Sequence, residues 1–279
     1  MTNEAQDLML VVGGTGKTGR RVVDRLRAQG RSVRVGSRWG APPFDWEDCA
    51  TWAPAVAGAT GAYVSYFPDL AVPGAAEAVA EVARLAADAG VQRLVLLSGR
   101  GEDEAERAER LVRDAFPAAT VVRCSWFAQN FTESYLLEPV LTGEVALPAG
   151  DVPEPFVDVD DIAGVATAAL TQDGHAGKIY ELTGLRSLTF AQAVEEIAGT
   201  TGRAIAFVEV PMEAYAAAAR AEGVPSDVVD LLVYLFGEVL DGRNVAVANG
   251  VQHALGRPPR DFADFARAAA TTGVWNGVR

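Results

Sequence analysis

The sequence predicts an α/β protein in which helices wrap both sides of a parallel sheet. Short apolar runs, at residues 62–66, 93–97 and 120–124, alternate with stretches of helical spacing, as a parallel sheet requires. A glycine-rich turn follows an apolar run that starts at Leu8, and a helical pattern begins directly after it. These observations together favour a doubly wound sheet.

The turn has three glycines, Gly13, Gly16 and Gly19, spaced as G-x-x-G-x-x-G. This spacing favours the dinucleotide fingerprint, in which glycines form a tight turn, admit a pyrophosphate and let helix and strand approach closely. A triphosphate-binding loop would need a glycine five residues before Gly16, where Val11 stands. An ordinary glycine turn stays an alternative. The residues of the turn predicted to bind the cofactor are Gly13, Thr15, Gly16, Lys17, Thr18 and Gly19.

The end of the second predicted strand favours NADP(H) over NAD(H). An NAD site usually carries an acidic residue there, whereas an arginine accommodates the 2′-phosphate. This strand ends in Ser37 and Arg38, and no carboxylate follows until Asp45. A guanidinium suits a phosphate in geometry and charge, and Arg34 is expected to add to a local basic pocket. A solvated surface arginine is the alternative for Arg38.

Composition narrows the class of protein. The formal charge of −13 and the pI near 4.6 argue against nucleic acid or an anionic membrane as partner. Only Cys49 and Cys124 are present, too few for a disulfide framework or a zinc cluster, and no metal site is expected. Neither a signal pattern nor an apolar run of membrane-spanning length is found. We therefore expect a cytoplasmic protein with a small-molecule substrate, and a homodimer stays open.

The predicted organisation is an NADP(H)-binding Rossmann domain over residues 1–150, followed over 151–279 by mixed segments: a late sheet strand and helices, together with a smaller α/β substrate-binding subdomain. The second part contains a late strand near Lys178, a capping box at Thr189, and helices over 211–240. Asp160 is the expected N-cap of an alanine-rich helix. The second part is expected to cover the reactive end of the cofactor.

The chain resembles the NmrA-like atypical short-chain dehydrogenases/reductases over almost its whole length. Within them it is most similar to the clavine reductases of ergot-alkaloid pathways and their bacterial relatives. The segments that carry the resemblance are 13–19, Ser37-Arg38, Phe44-Asp45-Trp46, the strand ending at Ser98, 123–131 and 143–163. The run Ser125-Trp126-Phe127 with Asn130-Phe131 is its most specific part.

The resemblance implies roles for residues outside the turn. It places Asp45 and Trp46 near the adenine, where Asp45 would hydrogen-bond the amino group. It places Tyr66, Phe67 and Pro68 after the fourth strand, along the diphosphate path. Facing the nicotinamide and its ribose it places Ser98, Gly99 and Trp126. The predicted substrate residues are Trp126, Phe127, Asn130, Phe131 and Tyr135, with Tyr234 as a pocket wall or an oligomer contact. Core packing is the alternative for Trp126, Phe127 and Phe131.

The chemistry predicted is hydride transfer without a Tyr–Lys pair. Orthodox short-chain dehydrogenases carry Tyr-x-x-x-Lys on the helix after the strand of the Ser98 type, where it transfers a proton. The helix predicted here over 103–115 has neither residue. This loss suits an NADPH-dependent reductase of an iminium, enone or quinone substrate, with no assigned catalytic residue and Ser98 as a weak candidate. It equally suits a regulator that senses NADP(H) without turnover.

Other charged residues are expected at the surface. Glu109 and Arg113, four residues apart on the predicted helix, indicate a solvated face. His175 and His253 lie among glycines and are expected to be surface residues rather than catalytic bases. The three acidic residues Asp158, Asp160 and Asp161 are explained by the end of a strand followed by a helix cap, rather than by metal binding or acid–base chemistry.

Overall fold

A computed structural model describes residues 7–277. The chain divides into two compact units. Unit 1 comprises residues 7–124, Asp160–Leu182 and Gly250–Arg257, and unit 2 comprises Ser125–Val159, Thr183–Asn249 and residues 258–277. Residue 150, where the sequence analysis placed a boundary, lies inside unit 2, because the chain leaves unit 1 after a strand and later returns to it.

The strands of the described chain are β1 (Leu8–Val12), β2 (Ser32–Gly36), β3 (Gly61–Val64), β4 (Arg93–Gly99), β5 (Thr120–Cys124), β6 (Glu144–Leu147), β7 (Ile179–Leu182) and β8 (Ala206–Glu209). The sheet of unit 1 has the order β2-β1-β3-β4-β5-β7, and every pairing in it is parallel. The order reverses direction between β1 and β3, and open α/β sheets bind ligands outside the carboxyl ends of strands at such a point. The predicted doubly wound α/β fold is confirmed.

The helices are α1 (Lys17–Ala28), α2 (Trp52–Val56), α3 (Ala75–Asp88), α4 (Asp103–Ala115), α5 (Asn130–Glu133), α6 (Leu137–Thr142), α7 (Val159–Thr171), α8 (Phe190–Thr201), α9 (Met212–Ala221), α10 (Ser226–Tyr234), α11 (Gly250–Leu255) and α12 (Phe262–Thr271). A 3-10 turn at Cys49–Thr51 precedes α2, and a π-helical turn at Leu235–Val239 continues α10. No helix in the described part of the chain is long and apolar enough to cross a membrane.

Successive residues of a strand point to opposite faces of the sheet. In unit 1 both faces are buried, as is usual for a parallel sheet. Leu10 and Leu96 pack with the apolar faces of α2, α3 and α4 in one core cluster. On the other face Gly61 lies against Met9 and against Leu170 of α7. Helices therefore cover both sides of the sheet and leave its carboxyl edge to the connecting loops.

Unit 2 has its own parallel pair of strands, β6 with β8, and a core rich in aromatic rings. The helix α8 starts with the predicted capping box: Thr189 Oγ1 accepts from the Gln192 backbone N–H, and Gln192 Oε1 accepts from that of Thr189. The buried Trp275 donates its indole N–H to the carbonyl of Phe131 at 2.8 Å. This contact ties the turn after α12 to the centre of the unit.

Candidate cofactor and active site

The glycine turn of unit 1 has the geometry that a dinucleotide fingerprint requires. Gly13 has φ +72°, which favours glycine, and donates its N–H to Gly36 at 3.1 Å. Gly16 donates to the carbonyl of Gly13 at 2.9 Å and closes the turn. A Cβ on Gly19 would lie 2.1 Å from the carbonyl oxygen of Gly13. Gly19 is therefore the residue that lets α1 pack directly on the turn.

The start of α1 suits a negatively charged group. Gly16 is its N-cap, no side chain caps it, and its first turn contains no acidic residue. An anion there is stabilised by backbone N–H groups and the helix dipole. The side chain of Thr18 has another task, because its buried hydroxyl accepts a hydrogen bond from Tyr63 at 2.8 Å. Burial raises the pKa of Tyr63, so that phenol stays a donor and fixes α1 to β3.

The loop after β2 carries the predicted phosphate-binding arginine. The carbonyl of Ser37 accepts from the N–H groups of Gly40 and Phe44, each at 2.9 Å, and this shapes the loop. Arg38 is exposed and makes no hydrogen bond or ion pair with any residue that the structure describes. Its guanidinium is thus available to an anion. The neighbouring Trp39 is 93% exposed.

Arg34 does not belong to this basic pocket. Its guanidinium donates to the carbonyls of Ala55 and Ala57, each at 2.7 Å. Both carbonyls lie at the end of α2, where a cation is favoured. Arg34 therefore stabilises the end of that helix, and the expectation that it helps to bind the cofactor was wrong.

An aromatic cluster occupies the region predicted to lie near the adenine. The ring centroids of Trp46 and Tyr66 are 4.7 Å apart, and Phe44 lies 4.8 Å from Trp46. The carbonyl of Asp45 accepts from the indole of Trp52 at 2.6 Å, while its carboxylate accepts from a backbone N–H within the same turn. The loop thus presents partly exposed aromatic rings on a fixed backbone.

The segment of Tyr66, Phe67 and Pro68 follows β3, the third strand along the chain rather than a fourth. No strand stands between β2 and β3 in the described chain, where α2 and its 3-10 turn lie instead. Phe67 is 78% exposed. The turns after β1 and β3 meet, because a Cβ on Gly13 would lie 3.2 Å from Ser65.

Ser98, the weak catalytic candidate, is tied into a buried ionic network. Its hydroxyl donates to Glu109 at 2.6 Å. Arg123 donates to both oxygens of the same carboxylate, at 2.9 and 2.5 Å, and also reaches Glu181 at 3.2 Å. Hydrogen bonding to Glu109 is the main cause that raises the pKa of Arg123. The network joins α4 to the carboxyl ends of β4, β5 and β7.

Glu109 corrects an expectation from the sequence. Its pairing with Arg113 predicted a solvated face, yet Glu109 is 2% exposed and its partner is Arg123, on a neighbouring strand. Burying a carboxylate is tolerated when a guanidinium binds it in this bidentate way. The one sign of this burial in the sequence was that Glu109 is an acidic residue on the face of the helix expected to point inward.

A second buried acid lies beside Gly99. A Cβ on Gly99 would lie 2.0 Å from Oε1 of Glu102, so this carboxyl rests against the backbone at the end of β4. Glu102 is 7% exposed, and its Oε2 has no hydrogen-bond donor among the described residues. The pKa of Glu102 is raised, first by burial and then by the nearby charge of Asp69. Sequence reasoning did not single out either residue.

The predicted substrate residues all lie in unit 2, and the structure separates them into two groups. Phe131 is completely buried among Phe156, Phe190 and Phe262, so it packs in the core, and its contact with a substrate stays a prediction. Partly exposed residues form the other group: Trp126, Phe127, Asn130, Tyr135 and Tyr234.

Two of the partly exposed residues have distinctive surroundings. Trp126 packs edge-on against Phe190 at 5.2 Å and against Phe236 at 4.9 Å. The hydroxyl of Tyr135 is buried without a hydrogen-bond partner in the described chain, and burial raises its pKa. An unpaired phenol is costly unless something binds it. For Tyr135, a substrate contact stays a prediction.

The histidine and aspartate expectations need correction in part. His175 is buried rather than at the surface, and its Nδ1 lies 2.9 Å from the hydroxyl of Tyr180. Asp158 and Asp161 are buried and pair with Arg260 and Arg257, at 2.7 and 2.6 Å. These contacts fit a structural role.

Asp160 is not the N-cap of α7, which begins at Val159. It lies in the first turn and pairs with Arg25 of α1 at 3.3 Å. In the part of the chain that the structure describes, no three His, Cys, Asp or Glu residues are grouped to hold a metal ion.

The sheet order, the glycine turn and the free arginine after β2 define a dinucleotide-binding α/β protein. No protein-family model matches the chain. It is 31% identical to (4-alkanoyl-5-oxo-2,5-dihydrofuran-3-yl)methyl phosphate reductase of Streptomyces griseus, over 92% of this chain and 96% of that one. It is 29% identical to agroclavine dehydrogenase of Claviceps fusiformis, over 92% and 95% of the two chains.

The fold is shared with a solved structure of an NADPH-dependent quinone oxidoreductase from Escherichia coli, complexed with NADPH. The TM-score is 0.75 at 22% identity, over 94% of this chain and 99% of that chain. By its sequence relatives the chain belongs to the NmrA-like atypical short-chain dehydrogenase/reductase family, within the class of NAD(P)H-dependent oxidoreductases. The resemblance seen in the sequence, including that to clavine reductases, is confirmed.

Proposed function

We propose that the protein is an NADPH-dependent reductase that transfers hydride to a small electrophilic organic substrate of the iminium, enone or quinone type. The observation that carries this proposal is the pairing of the Gly13–Gly19 turn with a free Arg38 at the end of β2. The turn accepts a pyrophosphate, and Arg38 suits the 2′-phosphate that distinguishes NADP(H) from NAD(H). The two relatives named above as a reductase and a dehydrogenase of small organic molecules support it.

Unit 1 offers a residue for each part of the cofactor. The N–H groups at the start of α1 would hold the diphosphate, and Arg38 the 2′-phosphate. Trp46 and Tyr66 offer aromatic surface for the adenine, with Asp45 beside them. Ser98 and Gly99, at the end of β4, would lie along the nicotinamide ribose. NADPH, when bound, supplies the hydride.

The proposed reaction dispenses with the Tyr–Lys pair. The helix α4, which follows β4, contains neither tyrosine nor lysine. An iminium ion needs only hydride, and an enone or quinone also needs a proton from another source. Binding and orientation of cofactor and substrate would then supply most of the rate.

The test is oxidation of NADPH, followed by its absorbance, with a panel of iminium ions, conjugated enones and quinones. We expect turnover with at least one class, and slower turnover with NADH at equal concentration. A protein that binds NADPH tightly but oxidises it with no member of the panel would contradict the reductase. A regulatory protein would instead show a protein partner whose affinity differs between the NADP⁺-bound and NADPH-bound forms.

A further inference from the structure

Two acidic side chains meet at the carboxyl edge of the sheet of unit 1. Asp69 lies in the loop after β3, and Glu102 directly precedes α4. Asp69 Oδ1 accepts from the backbone N–H of Ala71 at 2.9 Å, and the carboxyl of Asp69 is close enough to that of Glu102 for each to affect the pKa of the other. Two neighbouring buried carboxyls favour a state in which one of them keeps its proton.

The surroundings of the pair favour the protonated form. Neither carboxyl makes an ion pair with a described residue. The other titratable groups that act on Glu102 or respond to it are Glu109 and the buried thiol of Cys124. The nearby cation, Arg123, faces Glu109 and Glu181. Burial and like charge both raise a carboxyl pKa, and the pKa values of Asp69 and Glu102 are both raised, with burial as the largest cause.

Glu102 lies beside residues that the proposed function assigns to the nicotinamide end of the cofactor. The Glu102 carboxyl lies so close to Gly99 that a Cβ there would have to displace it. Its Oε2 is buried and receives no hydrogen bond from any residue between 7 and 277. Ser98 and Gly99 are the residues proposed to lie along the nicotinamide ribose. Burial of an acidic side chain costs free energy. That cost is explained at this position if the reaction uses the proton of the acid.

We propose that the Asp69–Glu102 pair is the proton donor of the reduction, with Glu102 as the residue that carries the proton. This inference rests on the proposed function. Hydride forms a C–H bond at the electrophilic carbon of an enone or quinone, and the π electrons move to the carbonyl oxygen. The O–H bond of Glu102 then breaks, and its proton goes to that oxygen or to the adjacent carbon. Water returns the proton to the pair after release of product.

The charge of the cofactor couples the two transfers. The nicotinamide ring is neutral before it gives up hydride and cationic afterwards. A cation close to a carboxyl favours the ionised form. Loss of hydride therefore makes the pair more acidic at the moment when the substrate needs a proton.

The first test measures protons rather than turnover. NADP⁺ and NADPH are each titrated into the protein by calorimetry, in two buffers of different ionisation enthalpy, between pH 6 and 8. We expect NADP⁺ binding to release a substantial fraction of one proton, and NADPH binding to release much less. Glu102→Gln and Asp69→Asn should abolish this difference. Asp103→Asn, an exposed acid on the same helix, is the matched control and should retain it.

The second test separates proton delivery from hydride delivery. Loss of a general acid costs typically ~10²–10⁴-fold in rate. Glu102→Gln should therefore lose at least about 100-fold in kcat with an enone or quinone, and should keep its rate with an iminium ion, which needs no proton.

Each failure has a distinct appearance. If no acceptor in the panel supports oxidation of NADPH by the wild-type protein, the proposed function fails. The difference in proton release measured by calorimetry still shows whether the Asp69–Glu102 pair holds a proton. If proton release and the enone rate both persist in Glu102→Gln and Asp69→Asn, the proton-donor assignment is overturned. Urea unfolding of each variant shows whether it is folded, and either substitution alone decides the question if the other does not fold.

Discussion

Replacement of Gly19 by alanine tests the role of the glycine turn. The new Cβ would lie 2.1, 2.7 and 2.8 Å from the Gly13 oxygen, the Gly13 carbonyl carbon and the Gly14 Cα. All three are backbone atoms of the turn, so no side chain can move aside. Alanine inside a helix gains about 0.5–1 kcal/mol over glycine, whereas overpacking costs about 1–3 kcal/mol. We expect a net destabilisation of about 1–2 kcal/mol.

Cofactor binding should suffer more than stability, because the displaced turn holds the diphosphate. Loss of one charge-assisted hydrogen bond costs about 1.5–3 kcal/mol, which is at least about tenfold in Kd. Urea unfolding and NADPH fluorescence titration measure the two effects. The control is Gly199→Ala, in α8, where a Cβ meets nothing within 4 Å and a gain of about 0.5–1 kcal/mol is expected. A Gly19→Ala protein with the stability and Kd of this control would refute the reasoning.

Three further predictions concern charged side chains. Arg38→Ala should weaken NADPH binding about 10–100-fold and NADH binding little, by fluorescence titration; equal losses would contradict the 2′-phosphate assignment. Glu109→Gln leaves Arg123 without its bidentate partner, so the free energy of unfolding should fall by about 2–4 kcal/mol in urea, and an unchanged value would show the network to be unimportant. Because the pKa of Glu102 is raised in the folded protein and is about 4.3 in the unfolded chain, Glu102 should lower stability as pH rises above about 4.3, until it ionises in the fold. Glu102→Gln should flatten that slope, and an unaltered slope would mean that Glu102 is ionised in the fold.

Local features were readable from the sequence because each depends on residues close together in the chain. The Gly13–Gly19 turn and the capping box at Thr189 are of this kind, and the structure confirms them, whereas β2 ends at Gly36 and leaves Arg38 in the loop that follows. The start of α7 was missed by a short distance, since Asp158 and Asp160 both resemble caps. The late sheet strand at Ile179–Leu182 was expected, but the bounds of the two units were not readable, because residues 125–159 leave unit 1 before that strand returns to it.

The site was predicted less completely, because its acids depend on distant partners. Glu109 has a plausible partner four residues away, yet the structure pairs it with Arg123, from another strand. Asp69 and Glu102 are joined only by the parallel packing of β3 and β4, which brings the segments after both strands to one edge. Phe131 belongs to an aromatic motif of the sequence. It packs in the core because aromatic rings from later segments of the chain surround it. The remaining assignments for adenine and substrate stay predictions.

Transfer of deuterium from the cofactor tests the central claim most directly. The protein is incubated with NADPH deuterated at C4 of the nicotinamide and with an acceptor from the enone, quinone or iminium panel, and the product is analysed by mass spectrometry. If the protein is a hydride-transferring reductase, the reduced product carries one deuterium at a carbon that was electrophilic in the substrate, for one of the two C4 epimers of the cofactor. If the protein is shown to bind NADPH but no acceptor in the panel gains deuterium from either epimer, the account is contradicted.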